Sequence, residues 1–396
     1  MYATRPLSLY QNFPTARSAP PPRAPYSGYL IVTDEEAEAK ERFCCRLCKN
    51  KRISDLPFPQ DKILKVVHSH SSNYEDASVT KVWFIPVLDQ PLSSYRYYVI
   101  KAKGKHKGLA FTCSRENDIA GCCFRDVIAD VKPIPFNHRD IYQQFEIHHH
   151  FNGTFYAISV AGDGFPPKFL RRRGWRVKNT STSLRLRETE GLNTSLQLQL
   201  PPFDFSIYYK CSPLVVVARW YCPFVFVKEE AKVAHQVKRS LLYEMTLQQW
   251  WEEIYSCETE RNKGNTVTVD KRVQTQSVLV YGLEATKDDR HFDDDDDGFL
   301  WFRVKYHPFW KRGVGVGLSS AVVEKMRWVE ERRGWRYGGG EREVRVERVE
   351  ELSGGRQWKR FGCYVLVESF VLKRIDGLVL LSYKFRHCHR VQSKWE

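Results

Sequence analysis

The sequence predicts an α+β fold that is rich in β-structure, with mostly antiparallel sheets arranged in two domains. Aromatic residues make up 14% of the chain while only 3 residues are Met, and aromatic side chains pack well on pleated sheets. Short alternating segments recur between turn residues, whereas only a few helical patterns occur, two of them around residues 230–258. The 396 residues also exceed what one hydrophobic core usually organises, which favours two domains.

The first half reads as a proline-rich arm followed by a β-rich domain. Residues 1–27 are acid-free and contain Pro20–Pro22, so an N-terminal arm is expected there, with an organelle transit peptide as the alternative. The N-terminal domain is expected over residues 28–178, and Lys103–Gly108 reads as a basic hairpin tip. Residues 179–202 are polar, end in two prolines and are expected to form a linker. Strands are predicted at 28–33, 63–68, 79–86, 95–103, 109–114, 141–149 and 154–160.

The second half, residues 203–396, is expected to be an α+β domain that ends in a β-hairpin. Its last two alternating segments are joined through Ile375–Gly377, and Asp-Gly between two such segments is a strong hairpin signal. Strands are predicted at 214–219, 221–227, 266–270, 273–281, 299–306, 343–349, 361–374 and 378–387.

Two helices are predicted around residues 230–258. The first follows from the four-residue spacing of Val233, Val237 and Leu241. The second begins at Thr246, a helix-capping residue type with a glutamine three residues further on. Its apolar stripe consists of Leu247, Trp250, Trp251 and Ile254. We expect this stripe to be buried core, with no role in binding a cofactor.

Charge and hydropathy limit the classes of protein that fit. Lys and Arg exceed Asp and Glu by 62 to 47, a formal net charge of +15, which favours contact with nucleic acid or anionic lipid. Acidic residues are interspersed, however, and no recognition motif accompanies the charge. The longest apolar stretch, 214–227, is too short to span a membrane. No secretory signal is visible, so the 11 cysteines are expected to be reduced and the protein cytoplasmic or nuclear, with a chloroplast location less expected.

Several strings along the chain resemble one family. They are Met1–Ser8, Leu56–Gln60, Ile85–Ser94, Tyr97–Ile100, Lys103–Gly108, Asp140–Gln144, Trp220–Tyr221, Pro223–Phe224, Met245–Leu247 and Trp251–Glu253. These strings resemble a family of uncharacterised plant proteins, domain of unknown function 1262, and the resemblance spans nearly the whole chain. It implies a plant intracellular protein and makes a transit peptide the less favoured expectation, because the strings begin at residue 1. It implies no catalytic residue, cofactor or substrate, because the family has no assigned activity.

The cysteines form two groups that partly match a metal site. Cys45 and Cys48 have the spacing of a zinc knuckle, with Cys44 beside them. Cys122 and Cys123 are adjacent, and neighbouring residues on a strand point to opposite faces. Zinc binding and S-acylation of Cys44 and Cys45 are therefore alternatives, while reduced thiols without metal or cofactor are the expectation.

Three further patterns invite a ligand-binding interpretation. His387 and His389 alternate along a predicted strand and would share one face, and we expect both at the surface or in a groove. The run Asp293–Asp297 lacks the glutamate that closes a calcium loop. Gly313–Gly317 lacks the P-loop lysine. We assign no metal-binding or cofactor-binding residue from these patterns.

A serine-hydrolase interpretation also arises. Gly317–Ala321 nearly forms a nucleophile elbow around Ser319, and Asp376 and His387 follow in hydrolase order. Asp376 is expected to be used by the hairpin turn, and antiparallel strands do not fit that fold. We therefore expect Ser319 to be inert and assign no catalytic residue.

The sequence thus favours a non-enzymatic protein that acts through its surface on a protein partner, in an interaction or stress-response role. The first alternative is binding of a polyanion, either nucleic acid or anionic lipid, through Lys101–Lys107 and Arg171–Arg173. The second alternative is an esterase-like hydrolase centred on Ser319.

Overall fold

A computed structural model describes residues 1–40, 42–43, 48–49, 52–68, 78–116, 119–122, 125–184, 186–259, 264–288, 298–304, 314–334, 343–354 and 357–396. The strands are β1 Tyr2–Pro6, β2 Gly28–Val32, β3 Arg42–Phe43, β4 Cys48–Lys49, β5 Arg52–Ile53, β6 Lys62–His68, β7 Ser78–Pro86, β8 Arg96–Lys101, β9 Ile119–Cys122, β10 Arg125–Ile128, β11 Gln144–His150, β12 Thr154–Ser159, β13 Arg176–Ser183, β14 Gly191–Leu192, β15 Val215–Pro223, β16 Val227–Glu229, β17 Leu242–Glu258, β18 Thr266–Gln274, β19 Gln276–Val280, β20 Leu283–Asp288, β21 Phe299–Val304, β22 Gly315–Ser319, β23 Glu343–Glu351, β24 Arg360–Arg374 and β25 Val379–Trp395. The α-helices are α1 Leu7–Asn12, α2 Glu35–Lys40, α3 Lys168–Arg171, α4 Thr194–Gln199, α5 Val233–Arg239 and α6 Ser320–Glu331.

Two large β-sheets organise the described residues. The first, which we call the large sheet, has 12 strands in the order β16-β22-β21-β20-β19-β25-β24-β17-β15-β1-β2, with β14 beside β15. The second, the small sheet, has 7 strands in the order β12-β11-β8-β7-β6-β13-β5. Nearly all neighbours are antiparallel, and β1 with β2 is a parallel pair. The predicted β-rich α+β class with mainly antiparallel sheets is confirmed.

The small sheet curls around its own apolar core. Phe58, Phe84 and Trp175 are fully buried on its concave side, and a bridge between Phe155 and Trp175 brings β12 close to β13. Beyond Lys81, the outward face of β7 packs instead against the second half of the chain, where the Trp83 and Phe224 rings stack with centroids 6.1 Å apart. The two sheets therefore share one continuous apolar interface.

The second predicted helix is wrong. Residues from Thr246 to Ile254 lie in β17, a 17-residue strand paired with β15 and β24. Both faces of this strand are covered, since Trp250 and Trp251 are buried in different clusters. A strand buried on both faces is apolar at consecutive positions, which imitates helical spacing. The first predicted helix is correct and is α5.

The predicted C-terminal hairpin is confirmed by β24 and β25. Gly377 has a φ of +94°, a left-handed conformation that glycine adopts without strain, and Asp376 accepts a hydrogen bond from the Leu378 amide at 3.0 Å. Near the N-terminus, residues 2–6 of the expected arm form β1 inside the large sheet. The expected linker, 179–202, contains the end of β13, β14 and α4, and the division of domains at this segment stays a prediction.

Candidate functional site

A row of basic residues crosses four neighbouring strands of the small sheet. Arg52 of β5 is paired with Lys178 of β13, Lys178 with Lys65 of β6, and Lys65 with Lys81 of β7. Directly opposed residues point to the same face, and the residues beside them in these strands fill the concave core. We call these four residues the basic row. With strands about 4.8 Å apart, it is about 14 Å long.

The three lysines of the basic row concentrate positive charge that no nearby carboxylate of the described residues neutralises. Lys178 is exposed, whereas Lys65 and Lys81 are half-buried. Within the described ranges, none of these three lysines has a carboxylate oxygen within 4.0 Å. Like charges placed directly opposite each other destabilise a sheet. The arrangement therefore costs stability that an anionic ligand would recover.

One end of the row meets the hairpin tip that the sequence singled out. The Ala102 amide donates to the Lys81 carbonyl at 2.9 Å, which places Lys101–Lys107 beside Lys81. Gly108 closes the tip with a φ of +88°, and a Cβ there would lie 2.5 Å from Val233 of α5. The tip therefore packs tightly on α5. Burial and the nearby Lys238 ammonium lower the pKa of Lys107.

The other end of the row meets an aromatic cluster, which we define as His148, His150, Phe151 and Tyr156. The Arg52 guanidinium donates to the Gly153 carbonyl at 3.3 Å, just past Phe151. Phe151 is 79% exposed. His148 stacks on Tyr156 with ring centroids 5.1 Å apart.

The Arg171–Arg173 segment contributes to this same end. The Arg173 guanidinium lies over the Tyr156 ring, 5.2 Å from its centroid, while Arg171 is 3.9 Å from Asp130. The two basic segments that the sequence identified thus lie at opposite ends of one surface, and the basic row joins them. Cationic side chains next to exposed aromatic rings can hold a phosphate backbone and stack unpaired bases.

A second polar site is buried beneath α6. Glu330 of α6, Glu368 of β24 and His387 of β25 are all fully buried. Nε2 of His387 lies 2.9 Å from Oε2 of Glu368 and 3.3 Å from Oε2 of Glu330. The expectation that His387 is a surface or groove residue is therefore wrong, although the exposed His389 fits it. We call these three residues the buried triad.

Neighbouring groups orient the triad. Oε1 of Glu368 accepts hydrogen bonds from Gln249 at 2.5 Å and Gln197 at 2.9 Å, and Nε of the buried Arg333 is 3.7 Å from the same oxygen. Burial is the largest influence on His387 and opposes its charge, but the two carboxylates outweigh it and raise the pKa of His387 to about 9. Burial and the Glu368 carboxylate raise the pKa of Glu330 to about 7.

A cleft of about 430 Å³ lies beyond the C-terminal end of α5. Its charged groups are paired, except for the exposed Arg239, which has no carboxylate within 4.0 Å among the described residues. The Arg374 guanidinium binds Glu229, with Nε 3.0 Å from Oε1, and the Tyr243 hydroxyl donates to the same oxygen at 2.6 Å. Glu230 is paired with Arg303 at 2.9 Å. Because these ion pairs neutralise one another, the cleft has little net charge besides that of Arg239 with which to bind a ligand.

The structure does not assemble the hydrolase constellation. Ser319 lies between β22 and α6 as predicted, but its φ of −61° is not the strained conformation of a nucleophile elbow. Its hydroxyl is buried and has no hydrogen-bond partner among the described residues. Asp376 is used by the hairpin turn, and His387 faces the two glutamates of the triad.

Several of the sequence patterns fall on residues that the structure does not describe. Cys44, Cys45, Cys123 and the run 293–297 lie outside the described residues, as do the side chains of Cys48 and Cys122. Zinc binding by the cysteines and S-acylation of Cys44 and Cys45 therefore stay alternative predictions. Of the glycine run, residues 315 and 317 lie in β22, paired with β21.

Sequence reasoning missed both the basic row and the buried triad. Lys65 and Lys81 are outward positions of strands that were predicted, so alternation alone could have placed each on the outer face. Their alignment depends on strand register, which no short motif specifies. No sequence pattern predicts that Glu330 and Glu368 are buried, since isolated glutamates are usually exposed.

Comparison with known proteins gives a partial family match. Residues 23–124 match a family described as "Protein of unknown function (DUF1262)". The match is confined to this range, whereas the resembling strings span nearly the whole sequence. No curated protein matches the sequence of this chain.

Among solved structures, a protein titled "Crystal structure of Cry35Ab1" is similar at 10% sequence identity and a TM-score of 0.47. The alignment covers 85% of this chain and 90% of that chain. Similarity at this level supports no inference about function. Within the described residues, no helix is both long and apolar enough to cross a membrane.

Proposed function

We propose that this protein acts through its surface as a binding protein for single-stranded nucleic acid. The observation that carries the proposal is the basic row, in which Arg52, Lys178, Lys65 and Lys81 oppose one another directly. This is the polyanion alternative of the sequence analysis, made specific by an observed surface. A cytoplasmic or nuclear location belongs to the same proposal, because single-stranded nucleic acid occurs there.

Electrostatics supports a polyanion as the ligand. Each phosphate neutralised by a lysine or arginine releases condensed counterions, which makes binding favourable and dependent on salt. The three lysines of the row have no carboxylate partner in the described ranges, so binding would break no ion pair of theirs. The exposed Lys103 and Lys105 of the tip add positive charge beyond Lys81.

The aromatic cluster favours single-stranded nucleic acid over the other polyanions. Phe151 is 79% exposed beside the Arg52 end of the row, and an unpaired base can stack on such a ring. A base paired within a duplex or a lipid headgroup gains nothing comparable from that stacking. Anionic lipid is therefore an outcome of the test and not part of the proposal.

The test measures fluorescence anisotropy of a labelled single-stranded 20-mer over a range of salt concentrations. We expect the triple variant Lys65→Gln, Lys81→Gln, Lys178→Gln to bind at least about tenfold more weakly. The slope of log K against log salt should fall by about 2, since each single-strand phosphate contact contributes about 0.7. The matched control is Lys210→Gln, Lys359→Gln, Lys373→Gln, which removes the same net charge outside the small sheet and should bind nearly as wild type.

The variant Phe151→Ala tests whether the ligand is single-stranded nucleic acid or another polyanion. It should weaken binding of the 20-mer by about 5- to 100-fold, corresponding to a stacking contribution of about 1–3 kcal/mol. Binding of heparin and of phosphatidylserine vesicles should be unchanged. Tighter binding to vesicles than to the oligonucleotide would instead favour a membrane surface as the ligand.

We also infer that the family resemblance extends over the whole chain, and with it a plant origin. The matched residues 23–124 supply β2 to the large sheet and β5 to β8 to the small sheet. Neither sheet is complete without strands from outside this range. A fragment of residues 23–124 should therefore show no cooperative unfolding by circular dichroism, and a stably folded fragment would contradict the inference.

A further inference from the structure

We propose that Glu330, Glu368 and His387 form a binding site for a divalent transition metal ion such as zinc. The three residues come from α6, β24 and β25, and their ligand atoms all lie within 4.8 Å of one another. No motif in the sequence predicts this site, and it is separate from the surface of the proposed function.

The distances within the triad suit a single ion. Two ligands that each lie about 2.1 Å from a metal are separated by about 3.0–3.4 Å in octahedral or tetrahedral geometry. The two carboxylate oxygens lie 2.9 Å and 3.3 Å from Nε2 of His387. A small displacement of these side chains would allow one ion to contact all three.

The state of Glu330 provides an independent observation. Its carboxylate is fully buried. Oε2 faces Nε2 of His387 at 3.3 Å, whereas Oε1 has no hydrogen-bond partner among the described residues. A buried carboxylate oxygen without a hydrogen-bond donor is costly. Direct coordination of a cation by Glu330 would offset this cost, and a histidine with two carboxylates is a ligand set that zinc accepts.

The surroundings of Glu368 resemble the outer shell of a metal site. Oε1 accepts two amide hydrogen bonds, from Gln197 and Gln249, and these fix the carboxylate so that Oε2 points to His387. Such outer partners commonly orient metal ligands. Arg333, 3.7 Å from Glu368, opposes a cation, so we expect weaker affinity than at structural zinc sites made of thiolates.

The test measures binding of zinc to the full-length protein after treatment with a chelator, by isothermal titration calorimetry. We expect one zinc per chain at this site and a higher melting temperature with zinc than without it, because binding to the folded state stabilises that state. The variant Glu330→Gln should weaken zinc binding at least about tenfold. The matched control Glu331→Gln changes the exposed neighbouring residue and should bind as wild type.

A spectroscopic measurement keeps the test decisive if Glu330→Gln fails to fold. Zinc X-ray absorption of the wild-type protein should show nitrogen and oxygen ligands without sulfur, and the double variant Cys45→Ser, Cys48→Ser should retain the zinc. Sulfur ligands, loss of zinc in the cysteine variant, or wild-type affinity in Glu330→Gln would each overturn the proposal. Absence of zinc binding by the wild-type protein would overturn it as well. None of these results bears on binding of nucleic acid.

Discussion

At the scale of single residues, Lys325 shows how burial controls charge. Its ammonium is buried in α6, donates to Oγ of Ser27 at 2.6 Å and lies 5.5 Å from the centroid of the Trp220 ring. Burial is the main cause that lowers the pKa of Lys325 from 10.5 to about 8. The folded state therefore releases this proton at lower pH than the unfolded state does.

Because the pKa of Lys325 differs between the folded and unfolded states, the free energy of unfolding should depend on pH. Below pH 8 both states hold the proton, so the cost of the buried charge is fully present. Between pH 8 and 10.5 the unfolded state holds more protons, and stability rises with pH. Between pH 8 and 10.5, the free energy of unfolding of the wild-type protein should rise by up to about 3 kcal/mol relative to that of Lys325→Met. Urea unfolding at several pH values measures the difference, and a constant difference would show that Lys325 stays charged when folded.

Trp251 gives a second prediction at this scale. It is 1% exposed, and its indole N–H donates to the Pro201 carbonyl at 2.9 Å. Trp251→Ala should cost about 3–5 kcal/mol of unfolding free energy, the usual range for truncation of a buried aromatic residue. Chemical denaturation measures the loss, and the variant Phe151→Ala, which truncates an exposed ring, is the control. Unchanged stability of Trp251→Ala would contradict the packing described for β17.

At the scale of elements, strand register creates the basic row and also makes it costly. Each lysine of the row faces another cation directly, and like charges placed directly opposite each other destabilise a sheet. The triple variant Lys65→Gln, Lys81→Gln, Lys178→Gln should therefore be more stable than the wild type at low salt, while it loses affinity for nucleic acid. Denaturation at low and high salt measures the effect, which salt should reduce. A destabilised triple variant would show that the row contributes to folding.

The elements also show where sequence reasoning succeeds and where it fails. The Asp-Gly turn of the β24–β25 hairpin could be predicted because a local conformational requirement selects its residues. The identity of β17 could not, since apolar clusters cover both of its faces and remove the alternation that identifies a strand. The buried triad depends on contacts between three elements distant in sequence, and no local pattern encodes it.

At the scale of the whole molecule, the two sheets share an interface, and the large sheet combines strands from both ends of the chain. The sequence nevertheless predicts that the chain divides at residues 179–202, a polar segment that ends in two prolines. Limited proteolysis should cut there before it cuts within 214–258, since residues 186–190 lie outside the strands and helices whereas β15 and β17 occupy most of 214–258. Mass spectrometry of the first fragments identifies the site. Early cleavage inside 214–258, with 179–202 intact, would contradict the predicted boundary.

We propose that strand register in the small sheet builds a surface for single-stranded nucleic acid. The most direct test of this proposal is the salt dependence of 20-mer binding by the wild-type protein, by the basic-row triple variant and by the triple variant of Lys210, Lys359 and Lys373. We expect the wild type and the control to share one slope and the basic-row variant to have a slope smaller by about 2. Equal slopes for the two triple variants would show that net charge, and not the basic row, attracts the nucleic acid.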